Sequence, residues 1–123
     1  MRIEHRITVF DTADLGAEST FWAGILGGTV TGDDEWHTVS VDGEPQLAFQ
    51  LAPNHVPPDW PDGEPQQIHL DLHIDDAQAA HDEVVGLGAR RLTGTDVITK
   101  PRGFQVYADP SGHPFCLCWG QGE

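Results

Sequence analysis

The stretch "IHLDLHIDD", residues 68 to 76, alternates strictly. On a strand, Ile68, Leu70, Leu72 and Ile74 point to one side, and His69, Asp71 and His73 to the other. Two imidazoles and a carboxylate on one face are donor types of a metal site. They are equally the polar side of a half-buried strand. Asp75 or Asp76 then offers an N-cap to "AQAAHDEVVGL". Ala77, Ala80, Val84 and Leu87 form one helical stripe there, and Gly88 ends it.

The same order occurs upstream. "IEHRITVF" (3 to 10) reads as a strand, and Asp11 or Asp14 caps a helix over 15 to 26, "LGAESTFWAGIL". Gly27 and Gly28 stop it. Three β-like runs follow, at about 28 to 32, 36 to 41 and 46 to 51, separated by "GDD" and "DGEP". Downstream of the second helix, 89 to 94 and roughly 96 to 99 are possible strands. "GFQVYA" (103 to 108) and "HPFCLCW" (113 to 119) are clearer ones, joined by the turn "DPSG". Residues 52 to 66 hold five of the nine prolines and read as an ordered linker, with Trp60 as an anchor. The chain is therefore β-α-β-β-β, linker, β-α-β-β-β. The expected class is α+β, with module 1 over about 1–51, the linker over 52–66 and module 2 over about 67–120. One module alone has too few strands and too little core to stand by itself, so 1–123 reads as one domain.

Composition narrows function. Twenty acids against six bases give a net charge of −14, which argues against nucleic acid and anionic membranes. It suits a solvated surface or a cationic ligand. No apolar run approaches a membrane span, and the N-terminus lacks the blocks of a signal peptide, so the cytoplasm is the default location. Cys116 and Cys118 lie on one face of a strand, where a disulfide between them would be strained. They read as buried thiols in a reducing compartment.

"DLGAESTFWAGILGG" (14 to 28), "HLDLHIDDAQAAHDEVVGLGARRL" (69 to 92) and "GFQVYADPSGHPFCL" (103 to 117) together resemble the vicinal oxygen chelate superfamily in its glyoxalase-like, bleomycin-resistance-like branch. The resemblance implies two βαβββ modules with a concave mixed sheet enclosing a ligand cavity, and commonly a homodimer. Active members hold a divalent metal there through His or Glu. Others carry no metal and sequester a drug. Counted from the capping aspartates and the turn, the four ligand places fall on Ile7, about Gln50, His69 and Cys116. Gln46 and Ala48 share a face with Gln50, and His5 shares one with Ile7.

That set is incomplete for a catalytic ion, which typically takes three protein ligands. The expectation is a cavity without metal or other cofactor, with His5, His69 and Cys116 as the ligands if a metal does bind. His69 is the candidate catalytic residue. Asp71 and His73 share its face, either as a tuned acid–base row or as a hydrogen-bond ladder. Trp36, Trp60, Phe104, Tyr107 and Trp119 are candidates to line or lid the cavity, with Cys118 beside Cys116. Phe21, Trp22, Phe49 and Phe115 are assigned to helix–sheet packing. Two functions stand. One is a small-molecule binding protein. The other is a lyase, isomerase or dioxygenase.

Overall fold

The computed structural model describes residues 1–66, 68–92 and 97–120. The chain forms two compact units, Met1–His55 and Val56–Glu123. The boundary lies inside the proline-rich stretch, so most of that stretch belongs to the second unit. Among the described residues no helix is long and apolar enough to cross a membrane.

The first unit runs β1 (Thr8–Thr12), α1 (Leu15–Leu26), β2 (Thr29–Gly32), β3 (Trp36–Val41) and β4 (Glu44–Leu51). Its sheet has the order β1-β4-β3-β2, with β1 parallel to β4 and the other pairs antiparallel. The second unit repeats the plan with β5 (Leu70–His73), α2 (Ala77–Leu87), β6 (Arg90–Arg91), β7 (Gly103–Ala108) and β8 (Pro114–Trp119). Its order is β5-β8-β7-β6, with β5 parallel to β8. The expected βαβββ repeat is thus present as two four-stranded mixed sheets, one per unit.

Local chemistry explains the shared plan. Asp14 and Asp76 both sit in extended backbone just before their helices. Their carboxylates accept from Ala17 N–H at 3.1 Å and Ala79 N–H at 3.0 Å. Each cap satisfies a donor that the first helical turn leaves open. Asp42 and Gly43 join β3 to β4 with positive φ at both residues, 52° and 81°. That is the two-residue hairpin geometry matching the right-handed twist of the strands.

Two strands are shorter than the sequence suggests. Residues 3–7 alternate, yet β1 begins at Thr8, opposite Leu47. β5 begins at Leu70, opposite Phe115, and not at Ile68, which is 69% exposed. In both cases the partner strand starts with a proline at or near its head, Pro45 or Pro114. Proline has no N–H to extend a ladder. Val97–Thr99 forms a short 3-10 turn in place of the expected strand. The strand expected over 89 to 94 is confined to Arg90–Arg91, with 93–96 outside the described residues.

The first unit has an aromatic core. Phe21, Trp22 and Phe49 are buried, and Phe10 meets both Trp22 and Phe49 edge-to-face at 5.7 Å. Trp22 meets Phe21 in the same way at 5.2 Å. Such pairs add about 0.5 to 1.5 kcal/mol each beyond area burial. The second core is built from Tyr107, Phe115 and Leu117 on the helix-facing side of β7 and β8. Tyr107 and Phe115 stack at 5.6 Å.

Candidate functional site

The second unit brings the candidates together on one face of its sheet. In the parallel β5–β8 pair, Asp71 stands opposite Cys116 and His73 opposite Cys118. In the β7–β8 hairpin, Val106 stands opposite Cys116 and Phe104 opposite Cys118. In-register neighbours share a face, so Asp71, His73, Phe104, Val106, Cys116 and Cys118 form one surface. His69 joins it from just outside the strand, with Nε2 3.2 Å from Asp71 Oδ1. The carboxylate holds the imidazole ring and sets which nitrogen faces outward.

The floor is apolar and the rim polar. Cys116 and Cys118 are buried, while the His69 and Asp71 side chains are about half exposed. Burial pushes the Cys116 thiol up to about 12. The Asp71 carboxylate, to which the thiol donates, and the neighbouring Cys118 act in the same direction. Burial first, then Asp71, also raises the Cys118 thiol. Both groups are therefore protonated thiols near neutrality. Trp60 and Leu92 pack against Val106, Cys116 and Cys118. The proline-rich segment thus delivers Trp60 to this face. Sequence reading did not select Leu92 or Val106, although hairpin register with Cys116 would have selected Val106.

Tyr107 and Trp119 go elsewhere. Tyr107 is fully buried and faces α2, where its hydroxyl is hydrogen-bonded to His81 Nδ1 at 2.7 Å. It therefore lies on the opposite side of the sheet from Cys116. The reason is register: Tyr107 pairs with Phe115, not Cys116. Burial pushes the phenol up to about 12, with nearby Arg91 lowering it and Asp82 raising it further. Trp119 pairs with Gly103 and donates its indole N–H to Lys100 O at 3.0 Å.

In the first unit, Asp11, Gln50 and Trp36 form one row across β1, β4 and β3. Trp36 donates its indole N–H to Thr38 Oγ1 at 3.2 Å. Ile7 and His5 precede β1, with Ile7 half-buried and His5 exposed.

A model of the glyoxalase-like domain family matches residues 7–118. The chain belongs to the glyoxalase-like domain family. Solved structures with this glyoxalase-like fold include the fosfomycin resistance protein FosX from Mesorhizobium loti, with a TM-score of 0.69 and 17% identity over 98% of this chain and 96% of that one. FosX from Listeria monocytogenes gives 0.71 and 12% over 100% and 95%. A glyoxalase/bleomycin resistance protein/dioxygenase family enzyme from Burkholderia phytofirmans PsJN gives 0.65 and 14% over 92% and 95%. No curated protein matches the chain in sequence.

The metal of active glyoxalase-like proteins can be tested against these residues. The four places that the family resemblance implies would read hydrocarbon, neutral amide, imidazole and thiol, at Ile7, about Gln50, His69 and Cys116. Only the last two are common zinc-type ligands, and a catalytic ion typically takes three. That set does not fit. Within the second unit alone, His69, Asp71 and Cys116 each offer an atom within 4.8 Å of the others.

Proposed function

We propose that this glyoxalase-like protein binds a small organic molecule over the His69–Asp71 face of its second unit, without requiring a divalent metal. The observation that supports this most is Trp60, brought by the proline-rich segment onto Val106, Cys116 and Cys118. An aromatic wall and apolar floor beside a few placed polar groups is the usual lining of a ligand site. The His69–Asp71 pair supplies the orienting polarity and can take a proton from a bound ligand. A charge of −14 favours cationic ligands. The same reading takes the protein as a cytoplasmic homodimer. Fosfomycin resistance proteins stand among the fold neighbours, but fold does not carry function by itself.

The test is a thermal-shift screen of cationic aromatic compounds, followed by calorimetry on any that bind. Binding that weakens about tenfold or more in Trp60→Ala and His69→Gln supports the reading. A screen in which no compound raises the melting temperature removes it. A second reading, a metal-dependent lyase, isomerase or dioxygenase, has the convergence of His69, Asp71 and Cys116 in its favour. Stoichiometric metal in the purified protein, lost on His69→Ala, would select that reading.

A further inference from the structure

We propose that Asp71, His73 and Cys118 form a binding site for a thiophilic divalent cation of the zinc class, separate from the His69 and Cys116 positions. One ligand atom from each of the three lies within 4.8 Å of the other two. Ligand atoms on one tetrahedral zinc-like ion stand about 3.3 to 3.8 Å apart at bond lengths of about 2.0 to 2.3 Å. The difference is within reach of side-chain rotation. Imidazole, carboxylate and thiol, with a fourth place for water, is a borderline-soft donor set, whereas magnesium and calcium take oxygen.

The sheet itself fixes the donors. His73 and Cys118 occupy one rung of the parallel β5–β8 ladder, and Asp71 occupies the other rung of that face. Groups held on strands are more precisely placed than groups on loops. His69, by contrast, precedes β5 and is already paired with Asp71. The His73 imidazole has no hydrogen bond or ion pair among the described residues. Exposed Phe104, opposite Cys118, and Trp60, packed against the cluster of Val106, Cys116 and Cys118, supply an apolar collar. Binding exchanges the Cys118 S–H bond for a sulfur–metal bond, releases the proton to solvent and leaves the metal's oxidation state unchanged. The site does not depend on the organic ligand proposed above. The two are coupled, because the ion draws on the carboxylate that holds His69.

The test uses the full reduced chain, stripped of metal and titrated with cobalt(II) alone. The readout is sulfur-to-cobalt charge-transfer absorption, with zinc(II) as competitor. The expected result is one equivalent bound with thiolate absorption that zinc displaces. Cys118→Ser loses the absorption, and Cys116→Ser and His69→Gln keep it. His73→Gln, at an exposed position that leaves the core untouched, weakens binding about tenfold or more. Thiolate absorption that survives Cys118→Ser and vanishes in Cys116→Ser moves the ion to the other rung and overturns the proposal. Cobalt binding without thiolate absorption, no binding, or unchanged affinity in His73→Gln does the same. Circular dichroism of Cys118→Ser separates lost ligation from lost fold. Should that variant unfold, His73→Gln decides the matter.

Discussion

The two helices occupy equivalent places in their units and seat very differently. α1 buries Leu15, Glu18, Ser19, Phe21 and Trp22. α2 buries only Val84, with Ala77 and Ala80 half-buried and Leu87 39% exposed. Each is also tied to its sheet by one imidazole–hydroxyl hydrogen bond with the roles reversed. Ser19 on α1 meets His37 on β3 at 2.9 Å, and His81 on α2 meets Tyr107 on β7 at 2.7 Å. A repeat therefore preserves the backbone plan and the caps while letting the adhesion between layers change. The first unit relies on large interlocking rings. The second uses small alanines over a polar tether, and the sheet face turned away from α2 carries the thiols, imidazoles and carboxylate.

That contrast can be broken most directly at Trp22. Trp22→Ala should cost about 3 to 5 kcal/mol in urea unfolding, because a fully buried ring with two edge-to-face partners leaves a cavity. Leu87→Ala on α2 should cost well under that, since the side chain is 39% exposed and leaves no closed cavity. Equal losses would erase the difference between the two helices.

Alkaline titration comes next. Folding raises Cys116 from 9.0 to about 12 and Tyr107 from 10.0 to about 12. Both native groups hold their proton more tightly than the unfolded chain does. Their stabilisation is full below pH 9 and is lost as the pH rises from 9 through 12. Unfolding free energy measured across that window should fall, and Cys116→Ser should flatten the decline. A slope unchanged by that substitution would remove Cys116 as a cause.

The tethers predict a smaller effect. Tyr107→Phe should cost about 1 to 3 kcal/mol, since it strands a half-buried imidazole nitrogen. Ser19→Ala should cost a similar amount in the first unit. The caps give the finest comparison. Asp14→Ala and Asp76→Ala should each cost about 1 kcal/mol, with little between them, because the two cap geometries match. A large inequality in thermal melts would show that the looser seating of α2 extends to its first turn.

Much of this was legible in the chain. Both helices, and an aspartate cap for each, follow from periodicity and side-chain chemistry, with the structure choosing Asp14 over Asp11 and Asp76 over Asp75, and Phe49 and Phe115 lie on the expected side. Strand starts were less legible. "IEHRI" and "IHL" alternate as well as any strand, but pairing depends on a neighbour, and Pro45 and Pro114 stand near the heads of the neighbours. Tyr107 was grouped with Phe104 because both are aromatic and near in sequence. The hairpin register puts them on opposite sides. Trp60 could not be placed from local pattern, since a proline-rich segment has no period to follow. Its position comes from contacts with residues distant in sequence.

The β5–β8 ladder carries one more consequence. Every rung of it pairs either two hydrophobic residues or two chemically functional ones: Leu70 with Phe115, Asp71 with Cys116, Leu72 with Leu117, His73 with Cys118. The chemistry of this surface is thus a matter of odd and even. One residue gained or lost between the proline-rich segment and Leu70 would shift β5 by a single step, turn leucines toward the thiols and bury Asp71 and His73 under α2. The fold could keep every strand and still lose the site, so the length of the chain leading into β5 is as much a part of that site as the histidines.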